Sequence, residues 1–151
     1  MLIEETELFK DLGPEFMNEI SSVCREESYR KDEVLFKRGD VAENLYILVE
    51  GCVSLFISNG GSLSFTLEKP GRVFGWSSLV EPRRYTMTAE CYEETTAIRV
   101  DTARLEHVFD RYPREAYRVM KRLAGVVGQR LANSYEECLR SHAEPAKPSY
   151  G

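Results

Sequence analysis

Histidine is scarce in this chain of 151 residues: His107 and His142 are the only two. A jelly-roll metalloenzyme needs several imidazoles converging inside a barrel, so that class is excluded. Cysteine occurs at 24, 52, 91 and 138, never as a C-x-x-C pair, which points to reduced thiols in the cytoplasm. The longest apolar run, residues 45–49, is strand-sized and far too short to span a membrane. No G-x-x-x-x-G-K-[ST] occurs, and no Ser/His/Asp set stands in a recognisable context, so nothing argues for an enzyme. A basic excess is also missing. Lys and Arg number 20 against 25 Asp and Glu, a net charge of -5, which speaks against direct DNA binding. Residues 1–5 are acidic where a secretory signal would be basic and then apolar.

What is present is one domain's worth of ordinary globular composition, 42% hydrophobic and 30% charged. The pattern predicts helix, then strands, then helix. Gly13-Pro14 opens a segment in which Phe16, Met17, Ile20, Val23 and Cys24 recur at helical spacing. Short β-rich runs follow at 34–37, 45–49, 52–58, 62–68, 85–91 and 95–100, separated by turn residues such as Glu50-Gly51, Asn59-Gly60-Gly61 and Pro70-Gly71. That spacing suggests an antiparallel sandwich or roll. Asp101 is a good N-cap for the next helix, and Tyr112-Pro113 ends it.

The last helix is expected over about 113–140, with a loose tail at 143–151. Ala116, Val119, Leu123 and Val126 form one apolar stripe, which turns polar at Arg130, Asn133 and Glu137. A second runs Met120, Ala124, Val127, Leu131, Ser134, Cys138. A wide apolar face that narrows to a seam suggests packing first on its own domain and then on a symmetry mate. A helix lying wholly on its own roll is the alternative. Arg111, Arg114, Arg118, Lys121 and Arg122 read as a solvated basic face.

The stretch 71–89 carries the chemistry. A Gly, a short helical turn and a Pro-Arg lead into a strand. Amides at a helix start, the hydroxyls of Ser77 and Ser78, and a forked Arg83 together make an anion site. Strand alternation would put Arg83, Tyr85 and Met87 on one face and Arg84, Thr86 and Thr88 on the other.

The order of landmarks resembles the cyclic-nucleotide-binding domain of catabolite-activator-type regulators, protein kinase regulatory subunits and cyclic-nucleotide-gated channels. The matching residues are Leu8-Phe9, then 34–40, 45–53, Phe74-Gly75, Pro82-Arg83 and 86–89, so the likeness covers about 8–140. It implies an α+β, mainly β fold: an antiparallel β-roll (jelly-roll-like, a double-stranded β-helix) flanked by an N-terminal helix and a long C-terminal helix. Residues 1–142 would be that domain. It also implies a phosphate-binding cassette at 75–86. The site would comprise Phe74, Gly75, Trp76, Ser77, Ser78, Arg83, Tyr85 and Thr86, with Asn133 and Ser134 reaching the base from the long helix. The ligand implied is cAMP or cGMP, with no metal.

Two departures stand out. Trp76 replaces the family's Glu, which accepts the ribose hydroxyl; indole accepts no hydrogen bond. Tyr85 replaces a small residue, so the two aromatics are expected to fill ribose and base space. Only about eleven residues follow Arg140, too few for a winged helix-turn-helix, so a stand-alone sensor is expected rather than a transcription factor. Three readings remain open: a sensor signalling to an effector in trans, a non-binding dimeric interaction module, and a binder of a different small anion.

Overall fold

The computed structural model describes residues 3–58 and 62–141; the expected tail at 143–151 and the turn at 59–61 lie outside them. After a 3-10 turn at Ile3–Glu5 comes α1 (Pro14–Ser22). Pro14 sits in the first turn, where a missing N–H costs nothing, and the Gly13 N–H donates to Glu115 Oε2 at 3.2 Å. Phe16 and Ile20 are buried.

The expectation that Val23 and Cys24 continue this helix is corrected: Cys24–Tyr29 is β1. Its sequence, Cys-Arg-Glu-Glu-Ser-Tyr, has no apolar alternation. Long-range pairing along β8 (Thr95–Asp101) holds it extended. A diagonal cross-strand fork adds to this, with Arg99 Nε and Nη2 donating to Glu27 at 2.9 and 3.1 Å.

The other strands are β2 (Val34–Phe36), β3 (Asn44–Glu50), β4 (Val53–Ser58), β5 (Ser62–Leu67), β6 (Val73–Phe74) and β7 (Thr88–Cys91). They form two four-stranded antiparallel sheets, ordered β1-β8-β3-β6 and β2-β7-β4-β5. This is the expected β-roll. Strand β3 is buried on both faces. Leu45 and Ile47 pack toward the helices, while Tyr46 and Leu48 point into the roll.

Asp101 caps α2 (Thr102–Arg111), its carboxylate accepting from the Arg104 N–H at 3.2 Å. Helix α3 (Pro113–Ser141) follows after Tyr112. Val119 and Leu123 are buried against Leu8, Phe9, Phe16 and Leu105. The basic residues at the start of α3 are not simply solvated. Arg118 donates to the Asp11 carbonyl and Arg122 to those of Leu8 and Lys10, so α3 clamps the N-terminal segment. Among the described residues no helix is long and apolar enough to cross a membrane, and no group of His, Cys, Asp or Glu could hold a metal ion.

Candidate functional site

The turn from β6 to the Trp76–Leu79 3-10 helix depends on Gly75, whose φ is 76°. A Cβ there would lie 3.2 Å from the Asn44 carbonyl oxygen and 3.2 Å from Tyr46, so only glycine lets this turn press onto β3. Beneath it, Phe36, Tyr46, Phe74 and Tyr85 stack into an aromatic plug. The Phe36 and Tyr85 rings lie 3.7 Å apart and the Tyr46 and Phe74 rings 5.2 Å apart. Trp76 turns outward from the plug, toward α3.

Beyond the plug lies a cavity of about 520 Å³. The β4–β5 hairpin forms one wall, with Trp76, Thr86 and Met87 beside it, and residues 126–134 of α3 form the opposite wall. The lining is mostly apolar. Its two cations are Arg72 and Arg130, and it contains no Asp or Glu.

Arg130 is the least compensated of the charges here. Its guanidinium lies over the Trp76 ring, 4.6 Å from the centroid. Nη2 is 3.5 Å from Glu7 Oε2, while Nη1 is buried with no hydrogen-bond partner. Glu7 is shared. Its Oε2 accepts from the Val73 N–H at 2.7 Å, and its Oε1 takes Arg72 at 3.3 Å. Burial draws the Arg130 pKa down to about 10, against the attraction of Glu7, so the side chain stays cationic at neutral pH.

The family model for the cyclic nucleotide-binding domain matches residues 26–112, more than half of the chain. The chain belongs to the cyclic nucleotide-binding domain family. It is 29% identical to a candidate cyclic nucleotide-binding protein from Geobacter metallireducens GS-15, with a TM-score of 0.76 over 85% of this chain and 95% of that one. The Thermus thermophilus catabolite activator protein is 27% identical, with a TM-score of 0.70 over 88% of this chain and 62% of that one. Glutaminase 1 of Bradyrhizobium diazoefficiens is 27% identical over 143 residues, which is 92% of this chain and 22% of the glutaminase. The chain spans from 14% to 42% of the lengths of the curated proteins that it matches.

Against the family pattern, the expected site residues separate. Trp76, Thr86, Asn133 and Ser134 line the cavity. Phe74 and Tyr85 belong to the plug, so Tyr85 faces inward as expected but fills space beside the cavity and does not line it. Ser77 and Ser78 are buried at the 3-10 turn, where the Ser78 hydroxyl donates to the Gly75 carbonyl at 3.0 Å. Neither of them, nor Gly75, lines the cavity.

Arg83 is the largest correction. The expectation places it inward, beside the amides of 75–78. In fact strand β7 begins only at Thr88, and Arg83 has a left-handed φ of 59° in a turn closed by its own N–H on the Val80 carbonyl. Strand alternation therefore does not apply to it. Its guanidinium leaves the roll and pairs with Glu106 on α2 at 2.7 Å and with Glu81 at 3.4 Å. Hydrogen bonding to Glu106 holds its pKa above the usual arginine value. Arg83 lies outside the cavity lining.

Sequence reasoning missed Arg130, Glu7 and Arg72. A signal for Arg130 was present: it falls on the stripe of Ala116, Val119, Leu123 and Val126, the face of α3 that packs on its own domain. A cation on a core-facing stripe implies a partner or a pocket. Nothing local marks Glu7 or Arg72.

Proposed function

We propose that this chain is a non-enzymatic, ligand-responsive regulatory module. A small molecule enters between the β4–β5 hairpin and α3, and α3 passes the change to an effector in trans. The cavity itself carries this reading. One wall is β-roll and the other is residues 126–134 of α3, so a molecule filling it touches both. Its binding free energy then depends on where α3 sits, which is the differential affinity that a switch requires. A volume of about 520 Å³ is in the range of pockets that bury small ligands.

The partial cover of the glutaminase supports a module that accompanies larger effectors. The negative charge supports a role without direct DNA contact. On α3, Leu131, Tyr135 and Leu139 are exposed apolar side chains, which supports a homodimer through that helix. We place this activity in the cytoplasm, with no membrane partner. For cAMP or cGMP to use Arg83, that side chain would have to leave Glu106, so a cyclic nucleotide is one ligand class to test and not the default.

Thermal denaturation with cAMP, cGMP and a panel of small organic anions tests the reading, alongside amide exchange. A ligand at about 100 times its Kd raises the unfolding free energy by about 2.7 kcal/mol. The same ligand should slow exchange in residues 126–134. Stabilisation without any change in α3 would overturn the signalling role, and no stabilisation by any compound would overturn ligand sensing.

A further inference from the structure

We propose that the cavity accepts an organic carboxylate with an apolar body, and that Arg130 receives the acid group in place of Glu7. This rests on the cavity being the ligand site. The body of such a molecule would lie between Leu55, Phe65 and Met87 on the roll and Val127 and Leu131 on α3. That environment suits hydrocarbon far better than a sugar and a phosphate. The cavity's charge is wholly positive, from Arg72 and Arg130, so it attracts an anion and repels a cation.

The geometry of Arg130 selects the head group. Its guanidinium carbon lies 4.6 Å from the Trp76 ring centroid, so the indole covers one side of the group. One edge atom, Nη1, is buried with no hydrogen-bond partner. The other edge reaches Glu7 at 3.5 Å, the longest ion pair among the described residues. Glu7 is engaged elsewhere by the Val73 N–H and by Arg72. Nη1 is shielded from solvent as it stands, so Arg130 must turn toward the cavity; a planar carboxylate there then forks onto both guanidinium nitrogens, an arrangement that Glu7 does not reach. Glu7 then remains with Arg72 and Val73. The exchange links three elements in one event: the N-terminal segment, the cassette turn and α3.

Trp76 is the chain's one tryptophan and lines the cavity, so its fluorescence reports occupancy directly. Titration of the whole chain with decanoate, decanol and cAMP, by fluorescence and by calorimetry, tests the inference. Decanoate should bind saturably, and decanol, with the same body and no charge, about 10-fold or more weakly. Arg130→Gln should lower decanoate affinity about 10-fold or more and leave decanol unchanged. If Arg130→Gln does not fold, Glu7→Gln is the second variant. It removes the competing charge and keeps an acceptor for the Val73 N–H, so decanoate affinity should rise several-fold.

Equal affinity for decanoate and decanol would overturn the inference. So would a decanoate affinity indifferent to Arg130→Gln, or, if that variant does not fold, to Glu7→Gln. Binding of cAMP without decanoate would overturn the ligand class and leave the regulatory reading standing. Binding of neither, together with a silent anion panel, would overturn both.

Discussion

The Tyr85 hydroxyl donates to the Asn44 carbonyl at 2.7 Å and accepts from the Asn44 N–H at 3.1 Å, joining the segment before β7 to β3 inside the plug. Removing that hydroxyl leaves two backbone groups without partners at a largely dry site. We expect Tyr85→Phe to destabilise by about 1–3 kcal/mol in urea denaturation, while Trp76 fluorescence stays unchanged. An unchanged midpoint would mean that water reaches Asn44. Gly51 sits at φ 109°, where a Cβ would fall 2.6 Å from the Glu94 carbonyl oxygen. Gly51→Ala should therefore destabilise by at least about 1–3 kcal/mol from backbone strain, with the clash added. Both residues were visible in the sequence. Gly51 was legible as a turn, because its neighbours spell one. Tyr85 was legible as an inward-facing aromatic, and it is buried in the roll; its bonds to Asn44 were not, because that residue lies 41 positions away.

At the scale of elements, α3 has two roles divided along its length. Its first half is bound to its own domain: Val119 and Leu123 are buried, each contributing about 1.5–3 kcal/mol of burial, and Arg118 and Arg122 clamp the N-terminal segment. Its second half presents Leu131, Tyr135 and Leu139 to solvent within one chain. We expect Leu131→Glu to give monomers by light scattering, with the β-sheet signal kept in circular dichroism. A wild-type protein that is already monomeric would refute the seam. The packing of the first half was legible in the sequence, because helical spacing puts Val119 and Leu123 on one face; the expected seam was not, since its Val127 and Ser134 line the cavity while the exposed Tyr135 and Leu139 lie off it. The start of β1 was not legible, since its partner lies some seventy residues away and its own composition is polar.

For the whole molecule, burial sets the alkaline limit of stability. It pushes the Cys24 thiol up to about 12 and raises the thiols of Cys52 and Cys91. In the unfolded chain a thiol titrates near 8.5. The folded state therefore keeps protons that the unfolded state releases, and stability present below about pH 8.5 is lost as pH climbs toward 12. Arg130, drawn down to about 10, has the opposite sign, but it acts only above that pH. The guanidinium chloride midpoint should fall between pH 8 and 10, and Cys24→Ala should flatten the decline. A midpoint that rises with pH would contradict this assignment.

The sequence alone determined the helix–strands–helix order apart from β1, most turns, the Pro14 helix start and Asp101 cap, and the core-facing stripe of α3. These are local properties, written in periods of two and 3.6 residues and in residues with special backbone freedom. It also carried the landmarks by which the family is recognised. Tertiary structure alone decided which of those landmarks face the cavity. Arg83 turned to Glu106, Tyr85 joined the plug, and Arg130 came to lie on Trp76 beside Glu7. A charged side chain goes to whichever counter-charge the fold brings within reach. Glu106 is 23 residues from Arg83 and Glu7 is 123 from Arg130, separations that no local pattern encodes.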